Sequence, residues 1–232
     1  MSIYPIICIL KKNSGENYPL DFSLPEFGEQ LTRSNPTNSK PEIRSKFRKG
    51  EIEAKIPYKF EQDPHQHYEL VTIASRACGR VLIHELTTPN TQLGYDVALA
   101  GDEEATLKSE ALRATAEVLF DITGSHITVT TNDSDKIPES IEEAIQHLPY
   151  SKFSLLRKGL IPDFEKCLLE ISNESSLVMD WGDYIELSSG PYPFGITSSQ
   201  LSDFAQGNSP FMNYKEAVET VLKRLIPDFV SN

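Results

Sequence analysis

The segment Asp63-Pro64-His65-Gln66-His67 is the cluster of this chain whose residue types best suit a metal ion. In an extended backbone, alternate residues point to the same side, and neutral imidazoles with a carboxylate are ligands that zinc accepts. Asp63, His65 and His67 would then support a metal-dependent hydrolase or nuclease. A polar turn between two strands explains the same residues, because Pro64 and a loop position do not guarantee ligand geometry.

The three cysteines are far apart, and no CxxC pair occurs. This pattern argues against a disulfide framework or a cysteine zinc site and fits a reducing cytoplasm. Cys78 lies between Arg76 and Arg80, and nearby cations favour a reactive thiolate. A small residue in a tight turn is the simpler interpretation. Cys8 and Cys167 lie on apolar faces and are expected in the core.

Sequence motifs of catalysis are absent from the chain. It has no GxSxG, no P-loop phrase, no GxGxxG and no HExxH. The acid pairs Asp133 with Asp135 and Asp180 with Asp183 are better explained by turn chemistry than by a calcium loop. We therefore predict no catalytic residue and no cofactor, although catalytic groups can converge from distant positions.

The formal net charge of -12 is divided unevenly along the chain. Residues 31–60 hold eight Lys or Arg against three Glu, whereas residues 96–150 hold twelve Asp or Glu against three basic residues. An acidic field repels phosphate backbones and anionic membrane surfaces and attracts cationic partners. The basic stretch is too small to offset the remainder. We therefore expect a basic protein partner, no nucleic acid and no membrane.

The N-terminal apolar run, residues 3–10, is short and is followed rather than preceded by lysines. This order is the reverse of a secretory signal. No apolar run approaches the roughly 18 residues needed to span a bilayer. These observations predict a soluble, cytoplasmic protein.

Apolar patterns predict strands in the first half of the chain. Strands are expected at 3–10, 51–60, 68–75, 80–87 and 93–100, and the short spacers between them require antiparallel pairing. Pro57 lacks an amide donor, so its strand should lie at a sheet edge or turn that position outward. Between Pro19 and Gly50 neither the strand nor the helix period holds, which predicts a long, mobile loop.

Helical spacing begins at Asp102, which can cap a helix that ends near Gly124. Further helices are predicted from Pro138 to Leu148, after Pro162, from Thr197 to Gln206 and after Asn213. A strand is expected at 126–131 and a hairpin at 177–188. The phrase LIPDF at 160–164 recurs at 225–229, and we interpret it as a helix-boundary phrase rather than a duplication.

Together these elements predict an α+β fold in one domain, residues 1–232. An antiparallel β-sheet, formed by a meander of about four strands at 51–100 and the N-terminal strand, is packed by several α-helices in the C-terminal half. A sub-boundary could fall near 132–137.

The leading hypothesis for function is an acidic, non-enzymatic module that recognises a basic protein, as inhibitors and immunity proteins do. Clustered carboxylates on rigid helices steer cationic partners. The residues expected to bind the partner are Glu103, Glu104, Glu110, Glu139, Glu142 and Glu143.

Two alternatives remain open beside this hypothesis. One is the metal-dependent hydrolase, and the other is a small-ligand binding module with residues 19–50 as a lid. Trp181, Tyr184 and the aromatic loop at 192–194 form either a contact surface or part of the core.

Overall fold

The computed structural model describes residues 6–11, 24–34, 37, 39–45, 51–60, 63–77, 80–87, 102–131, 136–171, 178–188 and 210–230. The strands within these residues are β1 (Ile6–Leu10), β2 (Glu42–Ser45), β3 (Glu51–Phe60), β4 (Asp63–Ala77), β5 (Arg80–Thr87), β6 (Ile127–Thr131), β7 (Phe153–Arg157), β8 (Val178–Asp180) and β9 (Tyr184–Ser188). The helices are α1 (Leu24–Ser34), α2 (Asp102–Ile122), α3 (Ile141–His147), α4 (Phe164–Ile171) and α5 (Pro210–Leu225).

The nine described strands form one antiparallel sheet in the order β2-β3-β4-β5-β1-β6-β7-β9-β8. The predicted α+β class is confirmed. The predicted meander is present as β3, β4 and β5, and the N-terminal strand β1 pairs between β5 and β6. The hairpin at 177–188 is confirmed as β8 and β9. The strand predicted at 93–100 and the helix predicted at 197–206 lie outside the described residues.

Helices cover both faces of the sheet, and β1 shows the division. Its alternating side chains place Ile7 and Ile9 in one buried cluster, and Cys8 and Leu10 in another. The first cluster contains the buried residues of α1 and α2, and we call that side the α2 face. The second contains those of α3, α4 and α5, and we call it the α5 face. The core positions predicted for Cys8 and Cys167 are confirmed, since both side chains are buried.

The irregular loop predicted from Pro19 to Gly50 is wrong at two places, because α1 and β2 lie within it. Phe27 and Leu31 are one helical turn apart and fully buried beside α2. These two side chains attach the helix to the core. Two apolar residues in a proline-rich segment are too few to show a helical period in the sequence. Strand β2 has only four residues, too few to show an alternating pattern. It pairs with β3, with Ile43 opposite Ala54. The mobility of this segment stays a prediction.

Strand β3 is not a sheet edge, because β2 pairs with its outer side from Ile52 to Lys55. Pro57 lies beyond that pairing and is exposed, as the second part of the prediction allowed. Its missing amide donor therefore removes no bond to β2. The carbonyl of Pro57 accepts a hydrogen bond from Ser39 Oγ at 2.7 Å.

Two predicted helix starts are wrong, whereas α2 and α4 begin close to where the sequence placed them. Helix α3 begins at Ile141 and not at Pro138, because Ser140 is its cap: Ser140 Oγ accepts the backbone N–H of Glu143 at 3.1 Å. Glu143 in turn accepts the backbone N–H of Glu139 at 2.7 Å. Helix α5 begins at Pro210 instead of after Asn213.

The repeated phrase LIPDF marks helix boundaries, as predicted. The first copy precedes α4, and the second follows α5. In both copies the phenylalanine amide donates to the isoleucine carbonyl, from Phe164 to Ile161 at 3.3 Å and from Phe229 to Ile226 at 3.0 Å. Both phenylalanines are buried in the α5 face.

Strands β6 and β7 are joined largely by side-chain hydroxyls. The backbone ladder between them has one described pair, Ile127 with Leu156. Beside it, Thr128 Oγ1 accepts the amide of Leu155 at 2.7 Å, and Ser151 Oγ accepts the amide of Thr130 at 2.8 Å. These buried hydroxyls take the place of the carbonyl acceptors that a regular ladder supplies.

Candidate functional site

A charged contact joins α2 to β9 on the α2 face. Arg113 Nη1 lies 2.9 Å from Glu186 Oε2 and 3.3 Å from Glu117 Oε1. The indole N–H of Trp181 donates to the same Glu186 oxygen at 3.0 Å. We call Arg113, Glu117 and Glu186 the polar bridge. It connects a helix, a strand and the turn of a hairpin at one buried carboxylate.

Local periodicity places these three side chains together. Arg113 and Glu117 are one helical turn apart on α2, so they lie on the same side of the helix. In β9, Ile185 and Leu187 belong to the α5 face, so Tyr184 and Glu186 point to the α2 face. Glu186 is opposite Leu155 of β7 and Met179 of β8.

Burial governs the charges of the polar bridge. Glu186 is only 3% exposed, and its carboxylate is matched by the guanidinium of Arg113. Burial raises the pKa of Glu117 to about 7; Arg113 opposes this shift and Glu186 adds to it. Burial also works against the charged form of Arg113, but Glu117 and Glu186 outweigh it and raise its pKa. One guanidinium thus faces two carboxyls, and the raised pKa of Glu117 lets that group keep its proton up to about neutral pH.

The β8–β9 hairpin presents two large apolar side chains beside the polar bridge. Trp181 is 48% exposed and Met179 is 43% exposed. The hairpin turn is fixed by hydrogen bonds: the Trp181 amide donates to the Tyr184 carbonyl at 3.0 Å, and Asp180 Oδ1 accepts the Gly182 amide at 2.8 Å. Gly182 has a φ of +89°, a backbone conformation that residues with a side chain rarely adopt. Trp181 is therefore held by hydrogen bonds at both its backbone N–H and its indole N–H, although its ring is half exposed.

Aromatic and charged groups extend this region along α2. Tyr184 packs edge-to-face on Phe120 with ring centroids 5.4 Å apart. Burial raises the pKa of Tyr184 to about 12, and nearby carboxylates add to the shift. Arg157 lies over the Phe120 ring at 4.8 Å and reaches Asp121 at 3.8 Å. Tyr184 thus belongs partly to the core, as one of the two sequence interpretations allowed, whereas Trp181 does not.

These groups form one continuous region. We call Glu110, Arg113, Glu117 and Asp121 of α2, together with Met179, Trp181, Tyr184 and Glu186 of the hairpin, the α2–hairpin surface. Such an arrangement suits recognition of a partner, since a fixed, half-exposed tryptophan loses little entropy on binding. A carboxyl that keeps its proton near neutral pH also occurs in general acids, but structural ion pairs shift pKa values in the same way.

The structure separates the glutamates that the sequence grouped as one binding surface. Glu110 is exposed on α2, one turn before Arg113. The exposed acids of α3, Glu142 and Glu143, lie on the other side of the sheet, because α3 packs in the α5 face. One of them, Glu143, is engaged in the cap of α3. The side chains of Glu103 and Glu104 lie outside the described part. A partner on one face therefore cannot contact all of the predicted residues.

The predicted metal ligands Asp63, His65 and His67 lie in strand β4 and not in a turn. Their side chains lie outside the part of the chain that the structure describes. Among the side chains that are described, no group of three or more His, Cys, Asp or Glu residues could hold a metal ion. Asp180, one of the acids considered for a cation, accepts Lys158 Nζ at 2.6 Å.

The sequence did not reveal the polar bridge. Glu186 lies between Ile185 and Leu187, and this alternation is the pattern of a strand with one solvent-exposed face. Its partner Arg113 is 73 residues away in the chain. The available signal was Arg113 itself, a charged residue inside the apolar helical run 111–120.

No helix in the described residues has the length and apolar character needed to cross a membrane. The chain matches no protein-family model and no curated protein sequence at a significant level.

Proposed function

We propose that this chain is a non-enzymatic binding protein that recognises a basic protein partner through the α2–hairpin surface. The observation that carries the proposal is the state of Trp181. Its ring is half exposed, yet its N–H is bonded to a buried carboxylate that Arg113 also holds. Tryptophan is enriched at the centres of protein interfaces, where it combines a large apolar area with one polar handle.

Fixing the ring before binding favours affinity. A side chain that is already immobile contributes its apolar area without a further loss of rotamer entropy. Met179 adds a second exposed apolar group on the adjacent strand. The proposed anchor is therefore an apolar pair on a rigid hairpin, surrounded by charged groups.

The charge around this anchor favours a cationic partner. Glu110 and Asp121 are exposed on the α2–hairpin surface, Asp183 is exposed in the hairpin turn, and the whole chain carries a net charge of -12. Lys158 pairs with Asp180 on the α5 side of the hairpin. Carboxylates at the rim of an interface raise the association rate with a basic partner and make capture sensitive to salt.

The test is capture of partners from native lysate at low and at moderate salt, with the bound proteins identified. Wild type is expected to retain a stoichiometric basic protein that leaves as salt rises, and Trp181→Ala is expected to lose it. Leu169→Ala is the matched control, because Leu169 is 47% exposed but lies on α4, on the other side of the sheet. Equal capture by Trp181→Ala and wild type would overturn the proposal.

Charge reversals distinguish the two faces. Glu110→Lys with Asp121→Lys should weaken capture, because both residues flank the anchor. The sequence hypothesis instead predicts that charge reversal at Glu139, Glu142 and Glu143 weakens capture with folding intact. Glu139→Lys with Glu142→Lys tests this without disturbing Glu143, whose carboxylate supports the cap of α3. Loss of capture with the second pair alone would move the site to the α5 face.

We propose a metal-dependent hydrolase as the second candidate, for one reason. Asp63, His65 and His67 lie close together at the start of β4, where its pairing with β3 is irregular, and two imidazoles with a carboxylate are ligands that zinc accepts. Stoichiometric metal in protein purified without chelator, and its loss in His65→Ala/His67→Ala, would support this candidate. Absence of metal in the wild-type sample would count against it.

A further inference from the structure

We propose that protonation of Glu117, whose carboxyl shares Arg113 with Glu186, acts as a switch that controls how Trp181 is held, and through it the strength of partner capture. The consequence for capture rests on the function proposed above, whereas the switch itself does not. The switch would regulate the α2–hairpin surface from within the polar bridge.

Two atoms are shared among the groups of the polar bridge and Trp181. A single nitrogen, Arg113 Nη1, serves Glu117 at 3.3 Å and Glu186 at 2.9 Å. A single oxygen, Glu186 Oε2, accepts both Arg113 and the indole of Trp181. A change in the charge of Glu117 therefore reaches Trp181 through two shared atoms.

The two charge states of Glu117 differ in balance. With Glu117 neutral, the positive Arg113 is matched by the negative Glu186. With Glu117 ionised, two carboxylates share one guanidinium in a site that is largely removed from water, and like charges repel there more strongly than in solution. Glu186 then loses the hydrogen bond that the protonated Glu117 carboxyl gives it and is repelled by the new charge, which loosens the carboxylate that accepts the indole N–H. We infer that Trp181 is held less firmly in this state.

Burial raises the pKa of Glu117 to about 7, so the change falls near neutral pH. Tyr184, which faces Glu117 from β9, stays neutral in this range because its pKa is raised to about 12. The guanidinium of Arg113, whose pKa is raised, keeps its charge. Glu117 therefore changes its charge in this range.

Apart from the polar bridge, the described charged residues of α1 and α2 are exposed. On α2 itself, Glu110 and Asp121 are exposed. Helix α1 packs beside α2 through Phe27 and Leu31, and its charged residues Glu26, Glu29 and Arg33 are exposed. Their fields are screened by water and salt, so they shift the transition only slightly.

The experiment uses the fact that Trp181 is the single tryptophan of the chain. Its fluorescence intensity and anisotropy are recorded on the full chain between about pH 5 and pH 9. Wild type should show one transition with a midpoint of about 7, with anisotropy falling as pH rises. Glu117→Gln should lack the transition and keep the high anisotropy throughout. Glu29→Gln, an exposed acid on the neighbouring helix α1, is the matched control and should behave as wild type.

A second variant keeps the proposal testable if Glu117→Gln folds poorly. Glu186→Gln removes one negative charge from the pair, so the midpoint should move to lower pH. A wild-type signal without a transition, or a transition that persists in Glu117→Gln, would overturn the proposal. Histidines titrate in the same range, and the Glu117→Gln variant separates their contribution.

Partner capture separates this proposal from the proposed function. If both hold, wild-type capture weakens severalfold as pH rises through 7 and Glu117→Gln capture does not change. If the fluorescence transition occurs but Trp181→Ala still captures the partner, the proposed function fails and the switch stands. If Trp181→Ala loses the partner but the transition is absent, the switch alone fails.

Discussion

The two faces of the sheet are covered by helices in different ways. On the α5 face, α5 packs through fully buried apolar side chains such as Val218, Val221 and Leu222. On the α2 face, α2 packs through apolar residues in its middle but meets β9 through the polar bridge. Apolar burial stabilises a fold directly, whereas a buried ion pair gives little net stability because both ions lose water. The polar bridge is therefore better explained by what it holds, Trp181, than by stability.

The largest effect is expected on the α5 face. Leu222→Ala removes a fully buried side chain and leaves a cavity, which should lower the free energy of unfolding by about 3 to 4 kcal/mol. Urea denaturation checks this. Trp181 fluorescence in the folded state should not change, because Leu222 and the polar bridge lie on opposite faces of the sheet. A changed Trp181 signal would mean that the two faces are coupled.

A slightly smaller effect is expected when Arg113 is removed alone. Arg113→Met leaves the buried carboxylate of Glu186 without its cation and should lower the free energy of unfolding by about 2 to 3 kcal/mol. Arg224→Met is the matched control, because Arg224 pairs with Glu170 on the exposed surface. Its effect should stay within about 0.5 kcal/mol. Equal losses for the two variants would remove the distinction between the polar bridge and a surface ion pair.

The pH dependence of stability gives a third test of the polar bridge. Burial raises the pKa of Glu117 to about 7 from an ordinary value of 4.5, so between these values the folded chain binds a proton that the unfolded chain has lost. The free energy of unfolding should therefore fall as pH rises through this interval, by about 3 kcal/mol in total. Urea denaturation of wild type and Glu117→Gln measures the difference. A wild-type curve parallel to that of Glu117→Gln would contradict this prediction.

The smallest effect is expected at the junction of β6 and β7, which supports both faces. Ser151→Ala leaves the buried amide of Thr130 without its acceptor and should lower the free energy of unfolding by about 1 to 2 kcal/mol. Hydrogen exchange at Thr130 should become faster. Ser140→Ala, which removes the cap of α3 elsewhere on the chain, should destabilise without accelerating exchange at Thr130.

Sequence patterns predicted elements where apolar residues are dense. The helical spacing of α2 and the alternation in β9 were sufficient because each element buries a continuous stripe or face. Helix α1 was missed because it is anchored by Phe27 and Leu31 alone, in a segment whose prolines suggested a loop. The start of α3 was misplaced because Pro138 and Ser140 both suit a helix start, and the observed hydrogen bond selects Ser140.

The candidate site was less predictable than the fold. A local pattern shows that Glu186 leaves the apolar side of its strand, but it does not show that a helix covers the other side. The pairing of Arg113 with Glu186 joins residues far apart in the chain, and only the sheet order brings them together. Net charge drew attention to α2 and α3, but charge alone does not tell on which face of the sheet a helix packs.

The most direct test of this account replaces the whole polar bridge with apolar side chains, as Arg113→Met/Glu117→Leu/Glu186→Leu. The triple variant leaves no buried charge unpaired, so its free energy of unfolding should lie within about 1 kcal/mol of wild type. Its Trp181 should lose the pH-dependent fluorescence transition, and capture of the basic partner should fall. A triple variant that captures the partner as wild type does, with the same fluorescence transition, would contradict the claim that the polar bridge positions Trp181 for recognition.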